Sequence, residues 1–591
     1  MTAISDPEDG RPSRAGAQLA EHKEPETLSP PAHRNLLSSP ALQGVAALAL
    51  YLLVWLLTSA RGLIDHLSWA TVDQKSMDPN FYTWGLRWWP YAIGHGLDPL
   101  YSHEIAGAAG HSLAWVTTVP PLALLASPLT IVDGPIASFN LLSAIALPVS
   151  AWAAFVLCRR LTGKFWPALV GGAVFGFSAY EMNHSAAGQL NLTFSLLVPI
   201  FAYLILVWRD GSIRTRTFVI LAGLTMALQF YLFLETFADL TAILAVSLLV
   251  GFALAGRDGR PQIARLARVV GLAYAVAAVL AAPYLAYMLT VKTPKLTSAV
   301  GMDVASLVLP RRTRTFGIAW LTHIAAEPSR VSEACYVGVP LLLVVVLLAV
   351  TSWSSKLVRF LTCMLVFIVV AALGSALYFE GSAVVKLPWG ELWRLPILRN
   401  AYPSRLMLFA YLVLAVATAL WLAGPARRAS WARWALAVLV IAFIALDTPA
   451  ISVDPHTSVP KFISSGQYQR QLSRGEVVVV ISTLGNAGLL WQAETDFYVR
   501  IAGGYINQAI TRGSDLPDPV QDLNEGSPAE VAQFAQFVKA DHVGAILLDA
   551  RHEPLWVGVF RRMGLRGHLY GGVIVYKTNG CQSCRLPAQV S

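Results

Sequence analysis

Eleven mostly apolar stretches, each about as long as a bilayer is thick, recur between positions 43 and 450. They lie at 43–59, 136–157, 165–180, 190–208, 217–234, 239–255, 269–291, 335–352, 357–379, 405–423 and 434–450. A spanning helix needs about 20 such residues, since every backbone polar group must be bonded inside the segment once water is gone. Composition agrees: 55% of the 591 residues are hydrophobic and only 13% charged, against about 25% charged in soluble chains. The pattern predicts a polytopic all-α membrane protein of about 11 transmembrane helices. Five cysteines exclude a disulfide-stapled secreted domain, and the hydrophobicity excludes a disordered scaffold.

Residues 1–40 are polar, Pro-rich and mixed in charge, which predicts a disordered cytoplasmic tail. A further apolar stretch, 112–132, contains Pro120, Pro121 and Pro128. Proline inside a helix costs about 3 kcal/mol, so this stretch reads as a broken helix at the interface. The positive-inside rule supports that choice. With eleven spans and a cytoplasmic N-terminus, the inward loops carry Arg159, Arg160 and Lys164; Arg209, Arg214 and Arg216; Arg257, Arg260, Arg265 and Arg268; Lys356 and Arg359; and Arg427, Arg428 and Arg433. The formal charge of +9 is then mostly topological, and nucleic acid is not an expected partner.

Three bodies face outward in this arrangement: loop 60–135, loop 292–334 and residues 451–591. In the last, VVVVIS (477–482), VGAILLD (543–549) and the GVIVYK stretch ending at Lys577 read as strands, and 528–540 and 553–563 as helices. An extracytoplasmic C-terminal α/β domain is expected, after a transmembrane domain over 41–450.

Chemistry concentrates at the outer ends of the spans. Asp78 opens an aromatic-rich stretch just after the first span. A carboxylate there can take a proton from a hydroxyl, worth about 10²–10⁴ in rate, or cap a helix whose first position is Pro79; the two roles are compatible. Trp84, Trp88 and Trp89 suit an interfacial aromatic belt. Tyr180, Glu181, Asn183, His184, Gln189 and Asn191 crowd the next outer turn, and Glu235 and Asp239 a third. Ionisable residues close to spans are site candidates or solvated turn residues. Loop 292–334 breaks the charge rule with six basic residues, Arg311 among them. They face anionic headgroups or grip a lipid-linked phosphate, which arginine binds bidentately. Glu333 and Tyr336 follow, and Arg405 stands at the mouth of a span, to snorkel or to bind. Cys581 and Cys584 form a single C-x-x-C, a disulfide or two thiols rather than a four-ligand zinc site. No Walker, G-x-G-x-x-G or H-E-x-x-H motif is present.

Four stretches then carry a resemblance: DPNFYTWGLRWWPYAIGHGLDPL (78–100), LCRRLTGKFWPALVGGAVFGFSAYEMNH (157–184), EACYVGVPLLL (333–343) and LPWGELWRLPILRNAYPSRLMLF (387–409). In order and spacing they resemble the GT-C superfamily of integral-membrane glycosyltransferases, most closely the bacterial YfhO-like membrane proteins. The resemblance implies an inverting transfer of a sugar from a polyprenyl-phosphate-linked donor to an envelope glycan or lipid acceptor, on the outer face of a bacterial plasma membrane. It implies Asp78 as catalytic base, with Asp73 second. Arg405 and an outer-loop arginine such as Arg311 would hold the carrier phosphate, and Glu181, His184, Glu235, Glu333 and Tyr336 would line the substrate cavity. Many such enzymes show adjacent acids in this loop, whereas Asp78 is followed by Pro79 and Asn80; no cofactor is expected and a divalent metal is unsupported. The competing class is a non-enzymatic transporter, flippase or assembly scaffold for lipid-linked sugars.

Overall fold

The computed structural model describes residues 39–70, 78–107, 110–291, 301–309, 335–379, 382–387, 389–392, 401–425, 430–446, 451, 459–482, 487–503 and 528–580. Most of the 1–40 tail, Asp73, Arg311, Glu333, Cys581 and Cys584 fall outside them. The chain divides into Met1–Gln43 and Gly44–Ser591, and the second unit holds everything described below except the first four residues of α1.

Helix α1 is Pro40–Thr58. After it come α2 (Asp78–Gly94), α3 (Pro120–Val132), α4 (Pro135–Thr162), α5 (Phe165–Gly176) and α6 (Ala179–Ala186). Next are α7 (Leu197–Arg209), α8 (Thr215–Leu232), α9 (Leu234–Leu254) and α10 (Gly256–Thr290). The bundle closes with α11 (Val339–Ser352), α12 (Lys356–Ala372), α13 (Met407–Ala423) and α14 (Ser430–Leu446). Among the described residues, seven helices are long and apolar enough to cross a membrane; the longest is α10, at 35 residues. Two of the seven are the runs Leu190–Arg209 and Pro403–Ala423, which contain α7 and α13; every one of the eleven expected stretches contains a helix, and α5, α11, α12 and α14 are the shorter ones.

Three boundaries differ from the sequence reading. The stretch 357–379 is not one helix: α12 stops at Ala372, Gly374 adopts φ +81°, and Ala376–Phe379 (β1) pairs antiparallel with Ser382–Lys386 (β2). Apolar residues that suit a span suit a strand equally, so hydropathy does not separate them. The basic segment 257–268 is not a loop but the first part of α10, because its Arg, Ala, Leu and Gln are strong helix formers that outweigh Pro261 inside the helix. Glu235 lies in the first turn of α9 rather than on a free turn. The stretch 112–132 does contain a helix, α3, which starts at Pro120 and runs for 13 residues.

Helices α4 and α5 form a tight hairpin that fixes the site's position. Gly163, in the left-handed region at φ +68°, ends α4 and returns its N–H to the Arg159 carbonyl. A Cβ on Gly176 would come within 2.4 Å of the Ala151 Cβ, and one on Gly172 within 2.6 Å of the Ala151 carbonyl oxygen. Only glycine permits this approach, the small-residue contact that packs membrane helices. α6 leaves the end of α5 two residues later.

Residues 477–577 build a five-stranded sheet. Strands Val477–Ile481 (β3), Arg500–Ile501 (β4), Ala545–Asp549 (β5), Gly567–Tyr570 (β6) and Val573–Lys577 (β7) lie in the order β4-β3-β5-β7-β6, the first three parallel and the last two antiparallel. Alternate residues face opposite cores. Val479, Ile481, Ile546 and Leu548 meet helices Pro528–Ala540 and Glu553–Arg562, whereas Val478, Ala545 and Leu547 meet helix Ala487–Glu494 (α15). The two-residue β4, strand β6 and helix α15 are additions to the sequence reading. The sheet's far edge is extended by residues 104–107, where Gly107 N–H donates to Ile501 O at 3.0 Å and Ile501 N–H to Glu104 O at 2.9 Å.

Candidate active site

The site forms where the chain ends of several helices meet. Asp78 is the first residue of α2, where a carboxylate complements the helix dipole. Pro79 follows at a position that has no use for an N–H. Gly188, at φ +69°, lies against it: a Cβ there would sit 2.5 Å from the Pro79 Cγ. That close approach delivers Gln189, whose Nε2 donates to Asp78 Oδ2 at 2.6 Å. The Gln189 Oε1 lies 2.5 Å from His184 Nδ1. Tyr180 meets the His184 ring edge-on, with centroids 4.4 Å apart. One turn along α2, the Tyr82 hydroxyl donates to Asn191 Oδ1 at 2.5 Å.

Ser178 caps α6, its hydroxyl accepting from the Glu181 N–H. Glu181 is fully buried and accepts from the Ser195 hydroxyl through Oε1, while Oε2 has no partner among the described residues. Burial pushes its carboxyl well above the ordinary range, which the Ser195 hydrogen bond only partly offsets. Burial, with a smaller contribution from the nearby Arg405 charge, pushes His184 down to about 3, so the imidazole is neutral. Its Nε2 is buried and has no partner among the described residues.

Arg405 faces this cluster from the start of the span 403–423. It is ion-paired with Glu235, whose Oε1 also accepts from the Tyr402 N–H at 2.7 Å. The guanidinium lies 4.5 Å from the Tyr402 ring centroid and 5.2 Å from that of Phe233, a cation–π cradle. Phe233 also borders a small cleft lined by Trp115, Phe230, Tyr231, Tyr284 and Met288. Tyr336 is buried in the same apolar core as Tyr180 and Leu406, its carbonyl accepting from the Tyr411 hydroxyl at 2.6 Å. Among the described residues, no three His, Cys, Asp or Glu side chains gather as metal ligands would.

No family model matches the chain, and no curated protein does. Solved structures do. The cryo-EM structure of arabinofuranosyltransferase AftD from Mycobacteria superposes with a TM-score of 0.58 at 12% identity, over 91% of this chain. The chain spans 40% of that protein's length. The crystal structure of ArnT from Cupriavidus metallidurans bound to undecaprenyl phosphate gives 0.51 at 10% identity, over 93% of this chain and 100% of ArnT. The Archaeoglobus fulgidus oligosaccharyltransferase in complex with Zn and sulfate gives 0.50 at 12% identity, over 90% and 73%. The fold is the GT-C fold.

Within the GT-C fold, the structure brings together five residues picked out from sequence. Asp78 and His184 are joined through Gln189, Glu235 and Arg405 are paired, and Glu181 sits on the same short helix as His184. Gln189, Tyr82, Asn191 and Ser195 are the additions. Gln189 and Asn191 already stood in the polar turn read from sequence, but an amide has no signature of its own until a carboxylate is placed beside it.

Proposed function

We propose that this chain is a membrane glycosyltransferase of the YfhO-like kind. It moves a sugar from a polyprenyl-phosphate-linked donor to an envelope glycan or lipid acceptor, on the extracytoplasmic side of a bacterial plasma membrane, with the N-terminus cytoplasmic. One observation carries the reading: in a GT-C fold, the carboxylate that follows the first span is held by a side chain at 2.6 Å and lies in a cluster with a neutral histidine and a cradled arginine.

The chemistry divides among these residues. The Asp78 carboxylate takes the proton from the acceptor hydroxyl. That oxygen attacks the anomeric carbon from the face opposite the phosphate, and the new C–O bond inverts the centre. The bond from the anomeric carbon to the phosphate oxygen breaks, and its electron pair leaves with the polyprenyl phosphate. Arg405, fixed by Glu235 and two rings, stabilises that charge in a site of low dielectric, and Arg311 serves the same anion. The aromatic cleft beside Phe233 takes the first isoprene units. Glu181, His184, Glu333 and Tyr336 bound the sugar cavity, and the C-terminal α/β domain selects the acceptor.

The test is transfer from a panel of labelled polyprenyl-phosphate sugars by the purified protein in lipid, with wild type beside Asp78→Asn. Transfer abolished by Asp78→Asn without unfolding supports the reading. Equal donor binding by both proteins without turnover would instead support a transporter or scaffold.

A further inference from the structure

Donor–acceptor complementarity fixes the protons along the chain of contacts from Asp78 through Gln189 to His184. Resting on the reading that Asp78 acts as the base, its carboxylate is ionised and can only accept hydrogen bonds. The Gln189 atom 2.6 Å from it must therefore be the amide nitrogen. The Gln189 oxygen then faces His184 Nδ1 at 2.5 Å, and an amide oxygen can only accept. So the proton of the neutral imidazole sits on Nδ1, and Nε2 carries a bare lone pair. That Nε2 is buried, without a partner among the described residues. A buried acceptor left without a donor is unfavourable, so its place here calls for a ligand that donates.

We infer that Gln189 is a positioning residue with two outputs: its amide nitrogen orients the Asp78 carboxylate, and its amide oxygen locks His184 in the Nδ1–H tautomer, so that His184 Nε2 accepts a hydrogen bond from a sugar hydroxyl of the substrate. The glycine at 188 is what lets this one side chain reach both. The pairing gives Asp78 a fixed direction without a metal ligand or a second acid beside it in sequence. It also gives the site a hydroxyl-specific contact: a substrate with a hydrogen or a methoxy group at that position leaves Nε2 orphaned, and such a loss discriminates strongly.

The experiment reads the tautomer directly. Histidine labelled with ¹⁵N is introduced into the full chain in lipid at neutral pH, and the His184 pair among the 12 histidines is assigned by its absence from His184→Gln. A protonated Nδ1 with a bare Nε2 in wild type, converting to a mixture of tautomers in Gln189→Met, is the expected result. An Nε2–H tautomer or an imidazolium in wild type overturns the inference, as does a tautomer that Gln189→Met leaves unchanged. Turnover gives the second readout: Gln189→Met should lower kcat about tenfold or more with little change in donor KM, a share of what a placed base supplies. An inactive Asp78→Asn beside a Gln189→Met of wild-type kcat would defeat the positioning role alone. A fully active Asp78→Asn would defeat the base reading, and the tautomer would still decide the Gln189–His184 pairing.

Discussion

The indole N–H of Trp84 donates to the Oε1 of Gln492 at 2.8 Å, although the two residues lie 408 positions apart. The bond ties α2, which begins with Asp78, to α15 of the C-terminal sheet. The same Gln492 is fully buried and donates to the carbonyls of Glu104 at 2.6 Å and Val499 at 2.9 Å. Beside it Arg87 pairs with Asp496 at 2.7 Å, and Phe497, at φ +54°, packs among Trp84, Trp88 and Tyr91. The sheet thus serves as the mount for the helix that carries the candidate base.

Gln492→Leu should therefore loosen both sides of that contact. It takes the partner from the Trp84 N–H and the Val499 carbonyl, while the Glu104 carbonyl keeps the Ile501 N–H, at about 1–3 kcal/mol for each buried group that water cannot reach. Hydrogen exchange should quicken at 78–94 and 487–503 while α13, in the bundle core, keeps its protection. Unchanged exchange in both segments would show that the glutamine is dispensable as a mount.

Gly188→Ala tests the close approach beneath Asp78. The substitution places a Cβ 2.5 Å from the Pro79 Cγ at a backbone angle of φ +69°. A side chain there costs about 1–2 kcal/mol from backbone strain alone, before Pro79 moves. Transfer should fall far more than thermal stability does, because the displaced element carries Asp78. A variant with wild-type turnover would mean that the turn 187–189 does not set the geometry of the base.

Much of this was legible in the sequence, for identifiable reasons. Charge asymmetry and hydropathy locate the helical stretches because both report on the membrane directly. The strands at 477–481, 545–549 and 573–577 stand out because fully buried strands are continuous apolar runs. The β1–β2 hairpin was hidden inside an apolar run, with Phe379, Val384 and Val385 exposed on it. The two-residue β4 owes its pairing to Val477, Val478 and the segment 104–107, which no local pattern could show. Asp78 and Arg405 were legible because charge beside a span is costly, whereas the neutral Gln189 that joins Asp78 to His184 carries no such mark.

Arg405→Lys separates charge from shape. The ammonium keeps the pairing with Glu235 but loses the planar stacking on Tyr402 and Phe233, worth about 0.5–2 kcal/mol where desolvated. Turnover should drop about tenfold, the equivalent of roughly 1.4 kcal/mol, with folding retained. Glu235→Ala should do worse, because removing one partner of a buried pair costs about 3–5 kcal/mol. Equal turnover in Arg405→Lys and wild type would reduce Arg405 to a simple point charge.

His184 gives the pH dependence of the site. Its folded pKa is pushed down to about 3, against about 6.5 in an unfolded chain. Between these values the unfolded chain binds the extra proton and the folded protein does not, so stability falls as pH drops from about 6.5 toward about 3. Above about 6.5 both states are neutral and the effect vanishes. His184→Gln has no such proton to bind, and its thermal midpoint should be flatter over the acid window while matching the wild-type trend at pH 7 to 8. The comparison is made in lipid by thermal unfolding of both proteins at pH 5 and pH 7.5. If the two proteins respond alike between those values, the imidazole is not buried as a neutral ring. The Gln189 contact would then hold a cation, with no lone pair left for a sugar hydroxyl.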